Sequence, residues 1–186
     1  MITYAQAKKL NDLKAILALQ SANLHDHLSK EKIETEGFLT ISHGLELLEN
    51  MSNVSPQIIA KANEQIVGFC LSMTQEFENE IPILIPMFET MNNVSYQNKK
   101  LKEYDYITVG QVCVAEGFRG QHIFDGLYSA FKNEFSANYE MAVTEISLRN
   151  SRSLAAHQRV GFVPLEQYTA PNGEVWQIVA WDWRKN

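Results

Sequence analysis

The chain has 186 residues, 45% of them apolar, and a formal charge of −6. That length suits one domain with a sizeable core, and the acidic balance lacks the clustered Lys and Arg that nucleic acid requires. No charged start followed by a continuous apolar stretch marks a signal peptide, and the longest apolar run, 81–88, holds two prolines and is too short to span a bilayer. The expectation is a cytoplasmic protein that engages neither membrane nor nucleic acid. Cys70 and Cys113 lie in apolar runs without a CxxC partner or metal-ligand spacing, so they read as buried thiols and no metal is expected.

In chain order, residues 2–7 read as a strand. Asn11 or Asp12 can cap a helix to about residue 20, with Leu13, Ile16, Leu17 and Leu19 on its apolar side. Residues 29–36 form a more polar helix. Leu45, Leu47, Leu48 and Met51 recur at helical spacing. Residues 57–62 and 66–73 read as strands joined by a hairpin turn at Asn63-Glu64-Gln65. The stretch 75–102 opens with Glu76, Glu78 and Glu80, and a proline at 82 or 86 suits the first turn of a helix.

The second half is clearer. Residues 106–115 are a β-branched strand, and 117–137 are a turn and then a helix bearing Ile123, Leu127 and Phe131 on one face. A strand at 141–148 precedes a helix at 151–160 that stops at Gly161. Strands at 162–168 and 174–183 close the chain around a turn at Pro171-Asn172-Gly173. Trp176, Trp181 and Trp183 could bury a homodimer contact or finish the core. The pattern is one mixed α/β domain.

The strand at 106–115 feeds the turn Glu116-Gly117-Phe118-Arg119-Gly120 and then a helix. A turn that opens a helix presents unpaired N–H groups at the positive end of the helix dipole, which suits a pyrophosphate. Arg119 could add a bidentate contact. Neither a P-loop nor a dinucleotide fingerprint fits, because no Gly-Lys pair is near and Gly117, Gly120 and Gly126 have the wrong spacing.

Two segments resemble the GNAT superfamily of N-acetyltransferases. Val109-Gly110-Gln111-Val112-Cys113-Val114-Ala115-Glu116-Gly117-Phe118-Arg119-Gly120-Gln121-His122-Ile123-Phe124 is similar to its coenzyme A-binding motif. Arg149-Asn150-Ser151-Arg152-Ser153-Leu154-Ala155-Ala156-His157-Gln158-Arg159-Val160-Gly161-Phe162 is similar to its second motif. The resemblance implies a single domain, 1–186, built on a mixed, mostly antiparallel central sheet flanked by helices. It implies acetyl-CoA as cosubstrate and transfer of the acetyl group to a small amine-bearing metabolite by direct attack on the thioester. The backbone of Val112, Cys113 and Val114 would meet the pantetheine arm. The amides of Arg119, Gly120, Gln121, His122, Ile123 and Phe124 would cradle the pyrophosphate, and Asn150, Ser153 and His157 would meet the cofactor from the next strand and helix.

Three departures stand out. His122 and Phe124 replace the small residues of the family's turn. His157 stands where many members carry a tyrosine that protonates the departing thiolate, and it could do the same. Gln111 stands on the cofactor strand where a glutamate base is common, and an amide is no base; Glu116, just past the strand, reads as surface. Cys113 as an acyl-enzyme nucleophile has no visible base beside it. The 75–102 insertion is expected near the acceptor, with its acids attracting an amine and Met87, Phe88 and Met91 as an apolar wall. An acyl-CoA sensor that has lost catalysis is the alternative reading.

Overall fold

In the computed structural model, residues 1–29, 31–33, 37–77 and 85–184 are described. Nine strands and five helices among them can be numbered in chain order: β1 Ile2–Gln6, α1 Leu10–Ser21, α2 Leu45–Val54, β2 Ile58–Ala62, β3 Gln65–Met73, α3 Ile85–Asn93, β4 Ser95–Tyr96, β5 Lys99–Lys100, β6 Tyr106–Val114, α4 Ile123–Phe135, β7 Met141–Ser147, α5 Ser151–Val160, β8 Val163–Thr169 and β9 Val175–Asp182. Seven strands make one sheet in the order β1-β2-β3-β6-β7-β9-β8, mostly antiparallel, as expected for the mixed α/β class. β6 and β7 run parallel, with Tyr106, Ile107 and Thr108 opposite Met141, Ala142 and Val143.

The chain divides into two compact units, with β6 changing unit at Val109. The first holds 1–73 and 109–134. Its core joins Leu13 and Ile16 of α1, Leu48 of α2, Ile59 of β2, Phe69 and Leu71 of β3 and Cys113 of β6. Fully burying a side chain of this size contributes about 1.5–3 kcal/mol, so α1 is held by its packed stripe more than by intrinsic helix propensity. Lys9, not Asn11 or Asp12, is the residue before α1. Asp12 lies one turn in and reaches back to the amides of Lys8 and Lys9, both at 3.2 Å, while Lys61 Nζ donates to it at 2.9 Å. Burial pushes its carboxyl up, but these donors outweigh it and hold the pKa below the usual range. The β2–β3 turn is the expected hairpin, with Asn63 in the left-handed region at φ 54°. The expected helix over 29–36 falls partly outside the described residues; 31–33 are helical.

The second unit holds 74–108 and 135–186. β9 lies between β7 and β8, pairing antiparallel with each. Pro86 sits in the first turn of α3, as proline favours, while Pro82, Glu78 and Glu80 lie outside the described residues. Met87, Phe88 and Met91 are buried in this unit, so they are core rather than an open wall. The insertion continues as a β4–β5 hairpin whose two turn residues, Gln97 and Asn98, have φ of 47° and 73°, the pattern of a two-residue primed turn. Tyr96 Oη donates to Asp182 Oδ2 at 3.1 Å, Tyr104 Oη to the Tyr96 carbonyl at 2.7 Å and Tyr106 Oη to Asn92 Oδ1 at 3.0 Å, which fastens the insertion to its unit. Trp183 is buried, and Trp181 packs between it and Phe162 at ring separations of 5.8 and 5.7 Å.

Candidate functional site

In the first unit, β6 carries Val112, Cys113 and Val114 to the edge of the turn. Cys113 and Val114 are buried and Val112 is half-buried. The amide of Ala115 donates to Val67 on β3 at 2.8 Å, which fixes where the strand stops. A 3-10 turn at Glu116–Phe118 follows, and then α4 starts at Ile123. Gly120 and His122 both lie in the left-handed region, at φ 74° and 59°. Both residues are exposed, and left-handed residues in a turn are the kind from which anion-binding nests of backbone N–H groups are built. The first amides of α4 have no carbonyl behind them, and Gly126 N–H already donates to His122 O at 3.0 Å.

His122 therefore keeps the backbone that glycine usually supplies. The left-handed region costs a non-glycine residue about 1–2 kcal/mol, and His122 is held there by contacts along its own helix: Nδ1 lies 3.0 Å from Asp125 Oδ2. Phe124 packs on Tyr128 with ring centroids 5.0 Å apart. Both bulky side chains at the two departures are engaged by helix residues, and the loop at Gly120, Gln121 and His122 is exposed.

Arg119 braces the turn. Its Nε donates to the Val114 carbonyl at 3.1 Å and its second terminal nitrogen to Asn23 Oδ1 at 2.6 Å. Lys32 Nζ reaches both Glu116 oxygens, at 2.9 and 2.8 Å. Glu116 is exposed, and the Lys32 hydrogen bond holds its carboxyl below the ordinary range. A low-pKa surface carboxylate is a weak proton acceptor. Burial pushes the Cys113 thiol up to about 12, so it carries no thiolate at neutral pH.

In the second unit, Asn150 is buried and caps α5, its side-chain oxygen accepting from Ser153 N–H at 3.2 Å. His157 is 3% exposed. Its Nδ1 lies 2.8 Å from the Ser153 carbonyl, which can only accept, so Nδ1 carries the proton; Ser153 Oγ is 3.3 Å away. The ring meets Phe162 edge-on at 5.2 Å. Burial pulls its pKa down to about 4, so the imidazole is neutral at pH 7. These surroundings lend no support to an acid that must arrive protonated.

No family model matches the chain, and no curated protein matches it in sequence. Solved structures do match. The ribosomal-protein-S18-alanine N-acetyltransferase of Escherichia coli gives a TM-score of 0.64 at 13% identity, over 98% of this chain and 94% of that one. Arabidopsis thaliana NAA60 in complex with acetyl-CoA gives 0.66 at 13%, over 98% and 99%. A GNAT-family acetyltransferase from Streptococcus agalactiae gives 0.66 at 8%, over 97% and 95%.

The chain has the GNAT acetyltransferase fold.

Within this GNAT fold, two polar constellations escaped the motif reading. One lies in the first unit, where Gln20, His43 and Gln111 form a hydrogen-bonded chain. The signal was Gln20, seven residues after Leu13 and four after Ile16, a polar residue on the core-facing stripe. The other is Glu145 of β7, whose carboxylate accepts from Tyr168 Oη of β8 in the second unit. Burial pushes Glu145 up to about 7 despite that hydrogen bond. A carboxyl poised near neutrality is the sort of group that serves as a general base. Its signal was an acid inside the apolar strand Met141–Ser147. Among the described residues no cluster of His, Cys, Asp and Glu could hold a metal ion, and no helix is long and apolar enough to cross a membrane.

Proposed function

We propose that this chain is an acetyl-CoA-dependent N-acetyltransferase acting on a small amine-bearing metabolite. The observation that carries the reading is the turn after β6. Its residues depart from the GNAT pattern, yet Gly120 and His122 hold a left-handed backbone in an exposed turn that opens α4, where a helix N-terminus suits a pyrophosphate. The fold and the acetyl-CoA bound to the Arabidopsis neighbour point the same way. Bound acetyl-CoA would supply the acetyl group as an activated thioester.

The chain's own residues divide the remaining work. The amides from Arg119 to Phe124 bind the diphosphate, and Arg119 acts through its side chain as a brace that holds the turn against β6 and Asn23. The backbone of Val112 to Val114 lies along the pantetheine arm. Asn150 and Ser153 are the cofactor contacts proposed for the second unit, with Asn150 also capping the start of α5. His157 is proposed there as a cofactor contact in its neutral form. An amine must lose its proton before it attacks the thioester.

A second reading has its own support. Gln111 is an amide at the usual base position, Cys113 is inert and His157 is neutral, which suits a sensor that binds acyl-CoA without turnover. Incubation with acetyl-CoA and a broad amine panel, followed by free thiol, separates the two. Thiol release with at least one amine supports the transferase. Binding without release across the panel supports the sensor.

A further inference from the structure

Three side chains of the first unit form a hydrogen-bonded chain whose direction is fixed at both ends by backbone groups. At one end, the His43 amide can only donate, and it donates to Gln20 Oε1 at 2.8 Å. The Gln20 nitrogen is therefore the atom 2.6 Å from His43 Nδ1 and 2.6 Å from Gln111 Oε1. At the other end, the Ile41 carbonyl can only accept, and Gln111 Nε2 donates to it at 2.6 Å. Both amides are thus oriented without ambiguity, and each Gln20 N–H is spent, one on Gln111 and one on the imidazole. His43 Nδ1 accepts, so the ring proton sits on Nε2.

That Nε2 is buried and has no hydrogen-bond partner, in a residue only 7% exposed. A native interior rarely leaves such a donor unpaired, and each case calls for an explanation. Burial also keeps the ring neutral, with a pKa pulled down to about 4. The network therefore presents a fixed, uncharged N–H donor with no lone pair to offer. Such a group cannot take a proton from an amine, but it can hold an oxygen. The chain of amides ends on Gln111, the residue before Val112 on the strand proposed to run beside the pantetheine arm.

We infer that His43 Nε2–H donates a hydrogen bond to the carbonyl oxygen of the acetyl thioester. This rests on the proposed acetyl-CoA binding. Gln20 and Gln111 are positioning residues: they hold the tautomer and act only through His43. A neutral donor hydrogen-bonded to an oxygen that gains negative charge on attack aids transfer without a change of protonation.

The test compares acetyl-CoA with CoA, which differ by the acetyl group. In unaltered ¹⁵N-labelled protein, long-range ¹H–¹⁵N spectra of the imidazole should show the Nε2–H tautomer from pH 6 to 8. Acetyl-CoA should move the Nε2 resonance, and CoA should leave it near its free position. Calorimetry on the same protein should show acetyl-CoA binding about three- to tenfold tighter than CoA, the range of one neutral hydrogen bond. His43→Phe should erase that difference and leave CoA affinity unchanged. An Nδ1–H tautomer overturns the inference, as does an Nε2 signal indifferent to the acetyl group while calorimetry shows both ligands bound. If neither ligand binds, the proposed function fails and the inference falls with it.

Discussion

Glu145 offers a quantitative check on the second unit. Its native carboxyl keeps a proton up to about pH 7, whereas the unfolded chain gives it up near 4.5. Between those values the native state binds more protons, so stability falls as pH rises. The contribution is full below pH 4.5, is lost progressively to about pH 7, and changes no further above that. Each pH unit of displacement is worth about 1.4 kcal/mol, and some solvent reaches this half-buried group, so the loss should be on the order of 2–3 kcal/mol. Glu145→Gln keeps the shape and removes the titration. Urea unfolding of both proteins at half-unit steps from pH 4.5 to 8 gives the difference in stability, in which the other titrating groups cancel. The wild type should lose ground to the variant through pH 5–7 and then run parallel to it. A difference that stays constant across the range would refute burial as the cause of the raised pKa.

Other outcomes follow from packing and backbone geometry. Gly161 closes α5 at φ 121°, with Phe162 N–H donating back to His157 O at 3.0 Å, and an added Cβ would stand 2.7 Å from Trp181 Nε1. Gly161→Ala should therefore cost more than about 1 kcal/mol in thermal or urea unfolding and disturb the tryptophan emission. His122→Gly removes the left-handed strain at the turn and should raise stability by about 1 kcal/mol, without weakening CoA affinity measured by calorimetry. Both cysteines are buried with thiols raised in pKa by that burial, so a thiol reagent at pH 8 should label neither in the native state and both after unfolding.

Much of the architecture was legible because local signals agree with the fold. The β-branched run of β6, the helical stripe of Ile123, Leu127 and Phe131, and Gly161 after α5 each have one good structural solution. Boundaries moved where side chains did unexpected work: Asp12 looks like a cap from its type alone, but its burial beside Lys61 places it inside α1. In the insertion, Met87, Phe88 and Met91 carry the same apolar signal whether they line a pocket or fill a core. Only packing decides, and here they are core.

The candidate site shows a different limit. Its place before a helix marks the turn as an anion site and the resemblance marks it as a coenzyme A site, while His122 and Phe124 depart from the small residues of the family's turn. Left-handed φ at a histidine is uncommon, and no pattern rule would assign it. The Gln20–His43–Gln111 chain spans ninety-one residues between its two glutamines. Long-range polar pairing of this kind has no periodicity, so it stays invisible until the fold brings the three side chains together.

In the proposed function, the turn after β6 holds a coenzyme A diphosphate on backbone amides. An amide-resolved ¹H–¹⁵N titration with CoA tests it most directly. Saturable shifts should be largest at Gly120, Gln121, His122 and Ile123, with smaller ones at Val112 and Val114. Saturable binding that leaves those amides unmoved, or no binding at millimolar CoA, would contradict it.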